Sequence, residues 1–105
     1  MNLIFKKLPI KKAFIISFPN FLDERGQFLK LFNYKNFETN NISFDIKQIN
    51  ISSNFNKGTL RGLHFQYGVG LENKIIYCLK GRIFDVFVDL RKTSKTYKKI
   101  YSIEL

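Results

Sequence analysis

The sequence predicts an all-β domain, an antiparallel sandwich or barrel. Several short stretches alternate apolar and polar residues or are rich in β-branched residues, and turn-forming clusters separate them at intervals of about 8–12 residues. The 105 residues are 45% hydrophobic and 16% aromatic, which is enough apolar surface for a core. This length corresponds to one domain, and we predict no boundary within residues 1–105.

Each strand is predicted from its own pattern. The clearest is 83–90, where apolar residues alternate with Asp85 and Asp89. The stretch 74–79 precedes it, and the intervening residues 80–82 include a glycine, so the two stretches are predicted to form a hairpin. Composition and alternation predict further strands at 28–32, 42–52, 60–66 and 100–105.

Turn and cap residues delimit these elements. A single short helix is predicted at 34–39, because Asn33 is a good N-cap residue. The sequence of 23–26 predicts a hairpin turn in which Gly26 takes the left-handed position. A polar cluster at 52–58 predicts another turn.

The charge of the chain is strongly positive. Eighteen basic residues against eight acidic ones give a formal net charge of +10, which is compatible with an anionic partner. The 14 lysines are scattered from Lys6 to Lys99, however, and a scattered excess favours a solvated surface over a nucleic-acid-binding patch. A basic β-barrel that binds single-stranded nucleic acid therefore remains a low-ranked alternative.

Composition argues against several other classes. The lone cysteine, Cys78, rules out a disulfide framework and a cysteine-based zinc site, and the lone histidine, His64, argues against a histidine-based metal centre. No apolar run approaches the roughly 20 residues that span a bilayer. The N-terminal stretch lacks the pattern of a signal peptide, so the cytoplasm is the predicted compartment.

Two stretches carry side chains suited to chemistry. On a strand, His64 and Gln66 lie on the same face, which predicts a polar concavity or a wet surface, and histidine is a natural base at neutral pH. Lys74 opens a later apolar stretch. Taken singly, such a histidine is more often a satisfied core residue, and such a lysine is more often solvated.

In combination, five motifs resemble those of the dTDP-4-dehydrorhamnose 3,5-epimerase family. They occur in order over nearly the whole chain, from about Phe21 to Leu105. The motifs are Asp23-Glu24-Arg25-Gly26-x-Phe28, Gln48-x-Asn50-x-Ser52, Leu60-Arg61-Gly62-Leu63-His64-Phe65-Gln66, Lys74, and Gly81-x-x-Phe84-Asp85-Val86-x-Val88-Asp89-Leu90-Arg91-Lys92.

The resemblance implies a cupin-type jelly roll and a cofactor-free, metal-free isomerase. Its substrate would be dTDP-4-dehydro-6-deoxyglucose, in which the C4 ketone acidifies the C–H bonds at C3 and C5. Proton removal and return on the opposite face would give dTDP-4-dehydrorhamnose. The resemblance further implies a homodimer in which residues 1–20 form an arm exchanged between subunits, with no nucleic-acid or membrane partner.

The same resemblance assigns roles to six residues. His64 corresponds to the general base, and Lys74 corresponds to the lysine near the ketone oxygen, where a fixed cation would stabilise enolate charge. The other four correspond to substrate-binding residues. Arg61 corresponds to an arginine in the nucleotide-sugar site, Arg25 to one that reaches the nucleotide of the neighbouring subunit, and Gln48 and Asn50 to polar residues lining the substrate pocket.

The chain also departs from the family pattern. Lys30 stands where the family usually has an acidic residue, Ile49 where it has Asp, and Glu72-Asn73 where a Gln-Gly pair is common. The resemblance places the tyrosine acid and the carboxylate that orients the base beyond Leu105, so we predict an N-terminal, truncated portion of the jelly roll. A non-catalytic sugar-nucleotide-binding remnant and an epimerase acting at C3 alone are the alternatives within the family.

Overall fold

The computed structural model describes residues 2–66, 68 and 72–105, and this part of the chain is nearly all β. Its strands pair in three two-stranded antiparallel sheets, β1 with β2, β3 with β4 and β5 with β6. The all-β prediction is confirmed. The elements are β1 (Ile4–Lys7), β2 (Phe14–Ser17), β3 (Asn20–Asp23), β4 (Gly26–Leu29), α1 (Tyr34–Thr39), β5 (Phe84–Val88) and β6 (Ile100–Glu104).

The first hairpin, β1–β2, lies within the segment predicted as an arm. Ile4 pairs with Ser17 and Lys7 with Phe14. The connecting turn is closed by the backbone N–H of Leu8, which donates to the carbonyl of Ala13 at 2.9 Å. Because both strands are rich in aromatic and β-branched residues, they fit a pleated, half-buried surface.

The core lies between this hairpin and the helix. Phe37 of α1 is only 2% exposed, and its ring packs against Phe5 at 4.9 Å and Phe32 at 4.7 Å between centroids. A hydrogen bond joins the two elements, since the N–H of Leu3 donates to Asn36 Oδ1 at 2.9 Å. Leu3 and Ile10 are the other buried hydrophobic residues in the described part of the chain.

The helix and its cap agree with the sequence prediction. Helix α1 spans Tyr34–Thr39, and the side chain of Asn33 accepts a hydrogen bond from the N–H of Asn36 at 3.1 Å. This bond satisfies one of the N–H groups that a helix leaves without an intrahelical partner at its first turn. The prediction succeeded because the signal is local to seven consecutive residues.

The second hairpin, β3–β4, also follows the predicted turn. Asp23 pairs with Gly26, which has φ +132, and the two intervening residues close the loop. The side chains of both strands are exposed, apart from a half-buried Leu29. The hairpin presents Arg25 at its tip.

The third hairpin corrects the predicted strand pairing. Strands β5 and β6 lie within the predicted 83–90 and 100–105, but they pair with each other, Phe84 opposite Glu104 and Val88 opposite Ile100. The predicted partner, 74–79, contains no strand. Residues 91–99 form a loop of turns in place of the expected short connection.

The predicted strands at 42–52, 60–66 and 74–79 are wrong as paired strands. We call residues 46–66 and 72–82 the open segments. Within them, the one backbone–backbone hydrogen bond described joins the N–H of Thr59 to the carbonyl of Asn56, next to the turn predicted at 52–58. Apolar alternation alone does not make a strand, because a strand needs a hydrogen-bonded neighbour.

Candidate functional site

A cavity of about 1130 Å³ lies against the first hairpin and both open segments. Its lining includes His64 and Gln66 from the first open segment and Lys74 from the second. Phe87 of β5 and Lys12 of the β1–β2 turn also line it. The structure therefore brings the predicted base and the predicted cation to one cavity, although they lie on different open segments.

His64 is exposed and lies two residues after a glycine with a positive φ. Gly62 has φ +97, a backbone conformation that other residues rarely adopt. A Cβ added at Gly62 would lie 3.3 Å from the backbone nitrogen of His64 and 3.4 Å from its Nδ1. The missing side chain thus leaves room for the imidazole, and the shared location of His64 and Gln66 agrees with the polar concavity predicted for them.

Lys74 is not an isolated cation. Its Nζ lies 3.4 Å from Oε1 of Glu72, and both side chains are about half exposed. Glu72 also lines the cavity. A solvent-exposed ion pair of this kind contributes little to stability, so its main effect is local: the carboxylate offsets part of the positive charge that Lys74 presents to a ligand.

Lysines dominate the charge of the cavity. Among the described lining residues, four lysines face a single carboxylate, that of Glu72, and a concave site with one predominant sign of charge attracts ligands of the opposite sign. Sequence reasoning missed three of these lysines because it treated the lysine pairs near the N-terminus as scattered surface. Their clustering at the end of β1 and within the β1–β2 turn was the available signal. The four are Lys7, Lys11, Lys12 and Lys74.

A buried carboxylate anchors the turn that carries two of these lysines. Asp89, 4% exposed, accepts hydrogen bonds from the Arg91 side chain, from Ser94 Oγ at 2.6 Å and from Thr96 Oγ1 at 2.6 Å. These bonds, the one from Arg91 first, hold the pKa of Asp89 well below its usual range. Arg91 Nη2 in turn donates to the carbonyl of Lys11 at 2.5 Å.

Strand alternation suggested that Asp89 faces water, and the structure shows otherwise. The carboxylate is the centre of a network that joins the 91–99 loop to the first hairpin, since the N–H of Lys11 also donates to Thr96 Oγ1 at 3.3 Å. Asp89 is not among the described residues that line the cavity. Through Arg91 and Thr96, it holds in place the turn that carries Lys11 and Lys12.

Arg25 lies at the tip of the second hairpin, outside the lining of the cavity. Its guanidinium is exposed and pairs with Asp23, with Nη2 at 2.7 Å from Oδ2. Hydrogen bonds from the Arg25 side chain, and then from its backbone N–H, lower the pKa of Asp23. The arginine is thus presented to solvent with a partner on its own hairpin.

The other three predicted binding residues lie on the first open segment. Arg61 donates from Nε to Asn54 Oδ1 at 2.8 Å, and Gln48 and Asn50 are exposed. The described lining of the cavity includes none of the three. Gln48 and Asn50 alternate in sequence with two exposed isoleucines, Ile49 and Ile51.

The described residues, 2–66, 68 and 72–105, contain no group of three or more His, Cys, Asp or Glu side chains placed to hold a metal ion. They also contain no helix that is both long and apolar enough to cross a membrane.

Comparison with known proteins identifies the family. The family model described as dTDP-4-dehydrorhamnose 3,5-epimerase matches residues 7–105. Since this match covers nearly the whole sequence, the chain belongs to the dTDP-4-dehydrorhamnose 3,5-epimerase family, as the motifs predicted.

Individual relatives carry the same description. The chain is 39% identical over 104 residues to the dTDP-4-dehydrorhamnose 3,5-epimerase of Sinorhizobium fredii, covering 99% of this chain and 53% of that relative. It is 40% identical over 106 residues to the enzyme of that name from Shigella flexneri, covering 100% and 57%. The chain thus spans about half the length of the curated relatives it matches.

A solved structure supports the same assignment. The crystal structure of dTDP-4-dehydrorhamnose 3,5-epimerase from Elizabethkingia anophelis superimposes with a TM-score of 0.89 at 42% sequence identity. The match covers 100% of this chain and 57% of that one. Since the match covers all of this chain, the open segments are included in it.

Proposed function

We propose that this chain provides the base and the enolate-stabilising cation of a nucleotide-sugar epimerase. The substrate would be dTDP-4-dehydro-6-deoxyglucose and the product dTDP-4-dehydrorhamnose. The observation that carries the proposal is that His64 and Lys74 line one cavity in a member of this family.

The reaction needs only proton transfers. The C4 ketone of the substrate acidifies the hydrogens at C3 and C5, so the imidazole of His64 can remove one as a proton and leave an enolate. The ammonium group of Lys74 stabilises the charge that develops on the ketone oxygen. Return of a proton from solvent to the opposite face restores the ketone and inverts the configuration at that carbon, and His64 releases its proton to solvent. The reaction involves no net oxidation or reduction, and the proposal includes no cofactor.

Substrate binding would rest on the positive charge of the cavity and on the four exposed polar residues. Lys11 and Lys12 line the cavity and provide charge for the diphosphate. Arg61 lies outside the described lining, is exposed, and offers a planar guanidinium that can bind the diphosphate at two oxygens. We assign Arg25, Gln48 and Asn50 to nucleotide and sugar contacts on the basis of their motifs.

The working unit would be a cytoplasmic homodimer. In this proposal, residues 1–20 contribute to the second subunit, and Arg25 reaches the nucleotide bound there. In the monomer described here, the β1–β2 hairpin packs against helix α1 of its own chain, with Leu3 and Ile10 buried. Sedimentation equilibrium of the intact chain tests the homodimer, which a monomer at all concentrations would contradict.

Solvent-deuterium incorporation tests the catalytic proposal. The chain is incubated with dTDP-4-dehydro-6-deoxyglucose in D₂O, and loss of the C3 and C5 proton signals is followed by NMR. We expect exchange above background that His64→Ala lowers by about 10²–10⁴-fold, the usual contribution of an acid–base group. Lys74→Ala should also lower it, whereas Lys57→Ala, which removes an exposed lysine from outside the cavity lining, should not.

Two results would contradict this function. If the folded chain shows no exchange but binds dTDP, and Arg61→Ala removes that binding, the chain is a non-catalytic sugar-nucleotide-binding protein. If exchange occurs but His64→Ala leaves it unchanged, another group is the base. Exchange confined to the C3 position would instead identify a 3-epimerase.

A further inference from the structure

We infer that Thr96 is a positioning residue for diphosphate binding, because it fixes the turn that carries Lys11 and Lys12 beside the cavity. This inference rests on the proposed function, in which these lysines provide charge for the diphosphate of the nucleotide sugar. Thr96 is not among the described residues that line the cavity. It would therefore affect a bound ligand only through the turn.

The backbone of the turn has an unusual conformation for its sequence. The N–H of Ala13 donates to the carbonyl of Ile10 at 3.1 Å, so Lys11 and Lys12 occupy the two central positions of a four-residue turn. Lys12 has φ +63, in the left-handed region. A turn that needs a positive φ at its third residue usually has glycine or asparagine there, because a Cβ is disfavoured. With lysine at this position, the conformation depends on contacts from outside the turn.

The 91–99 loop provides such contacts. The N–H of Lys11 donates to Thr96 Oγ1 at 3.3 Å, and the carbonyl of Lys11 accepts from Arg91 Nη2. Both backbone polar groups of Lys11 are thus bonded to side chains that lie 85 and 80 positions later in the sequence. The loop therefore restrains the turn at the residue that precedes the left-handed Lys12.

A buried carboxylate fixes the hydroxyl of Thr96. Thr96 Oγ1 donates to Oδ2 of Asp89 at 2.6 Å, and Asp89 is 4% exposed. A hydroxyl has one hydrogen to donate and lone pairs that accept, so the same oxygen can accept from the N–H of Lys11. Thr96 thus connects a buried charge to the backbone of the turn, and a side chain without a hydroxyl cannot replace it.

The location of the turn indicates what this restraint is for. Lys11 and Lys12 are exposed, and both line the cavity that His64 and Lys74 also line. A mobile turn would spread the two ammonium groups over many positions, and ligand binding would then have to order them. A turn that is already ordered avoids that cost, so the diphosphate binds more tightly.

The experiment measures the affinity of the full 105-residue chain for dTDP and for inorganic pyrophosphate by calorimetric titration. Thr96→Val removes the hydroxyl at nearly constant volume and should raise both Kd values about three- to tenfold, the usual effect of one lost hydrogen bond. Thr96→Ser keeps the hydroxyl and should bind within about twofold of the wild type. The matched control is Thr93→Val, at an exposed threonine of the same loop, which should also stay within about twofold.

A double-mutant cycle separates positioning from a general loss of structure. Once Lys11→Ala and Lys12→Ala have removed the charges, Thr96→Val should change the Kd for dTDP by less than about twofold, because the turn has no ammonium group left to position. A variant that merely loosened the fold would weaken binding equally in both backgrounds. Circular dichroism verifies the β structure of each variant. Thr96→Ala, which leaves room for water beside Asp89, is measured in parallel as a second variant without the hydroxyl.

Two outcomes would overturn the role of Thr96: unchanged Kd values on loss of its hydroxyl, or an equal loss of affinity with and without the turn lysines. Failure of the proposed function is distinguishable from both. A chain that binds dTDP but exchanges no deuterium at C3 or C5 would reject catalysis and leave the role of Thr96 in binding intact. A wild-type chain that binds neither dTDP nor pyrophosphate would reject both proposals.

Discussion

The first hairpin with its helix and the open segments use similar apolar residues with opposite results. Around Phe37, the rings of three residues from other stretches, Phe5, Phe32 and Phe44, lie with their centroids within about 6 Å of its own. Along 46–66 and 72–82, isoleucines and leucines of comparable size remain in water. The difference lies in packing partners. The first hairpin and helix α1 pack against residues within the first 44 positions, whereas the open segments have few packing partners in the described part of the chain.

The largest expected effect compares one phenylalanine from each region. Phe37→Ala should lower the free energy of unfolding by about 3–5 kcal/mol, because it removes a buried ring and leaves a cavity among Phe5, Phe32 and Phe44. Phe55→Ala makes the same change at a side chain that is 98% exposed, so its effect should stay within about 0.5 kcal/mol. Urea unfolding followed by circular dichroism measures both. Equal losses at the two positions would show that Phe55 is buried in solution.

A smaller effect is expected at the carboxylate network. Asp89→Asn should lower the Tm by several degrees at pH 7, since the charge that accepts bonds from Arg91, Ser94 and Thr96 is lost. The network lowers the pKa of Asp89, so its stabilisation is complete above the unfolded pKa of about 3.9 and is lost as the pH falls from there towards the folded value.

The Tm difference between the wild type and Asp89→Asn should therefore shrink as the pH is lowered from 5 to 2. Calorimetry over this range is the measurement. A difference that stays constant down to pH 2 would mean that the charge of Asp89 contributes nothing, and that the variant acts through packing alone.

The helix cap gives a third, local effect. Asn33→Ala removes the side chain that accepts from the N–H of Asn36 and should cost about 1 kcal/mol in unfolding free energy. Asn54→Ala, in the first open segment, removes a side chain bonded only to the exposed Arg61 among the described contacts, and it is the matched control with little expected loss. A loss at Asn54 as large as that at Asn33 would contradict the contrast between the regions.

The smallest effect concerns ligand affinity. Glu72→Gln removes the carboxylate beside Lys74 and should strengthen dTDP binding by a few fold, because exposed ion pairs are worth about 0.2–1 kcal/mol. Glu38→Gln also removes a carboxylate paired with an exposed lysine, Lys35, and should leave the affinity unchanged. Calorimetric titration with dTDP compares them. Weaker binding by Glu72→Gln would show that the carboxylate itself contacts the nucleotide.

The same contrast explains which elements of the fold could be predicted from the sequence. Helix α1 was predicted residue for residue, because Asn33 and the six residues after it contain the whole signal. Strand β5 was predicted to within two residues at each end, but the strand predicted to pair with it was wrong. Alternation with a period of two residues indicates which face of a strand is apolar, but it does not indicate which strand pairs with it. The stretch 42–52 carries the same alternation and forms no ladder.

The candidate site was likewise predicted only in part. Motifs named His64 and Lys74, and the structure places both at one cavity. The lysines of the β1–β2 turn were missed because their proximity to His64 depends on a contact across more than 50 positions in sequence. Asp89 was missed as a positioning residue for a related reason, since its partners become visible only once the 91–99 loop has folded back onto the first hairpin.

The bond between Arg91 and Lys11 spans 80 residues of sequence, and this has a consequence for synthesis. At about 5–20 residues per second on the ribosome, Arg91 is added roughly 4–16 s after Lys11. Throughout that interval, the turn bearing Lys11 and Lys12 lacks the loop that holds it. The basic cavity is therefore among the last features of this chain to form, because its lysine-bearing turn is held in place only after residues 89–96 have left the exit tunnel.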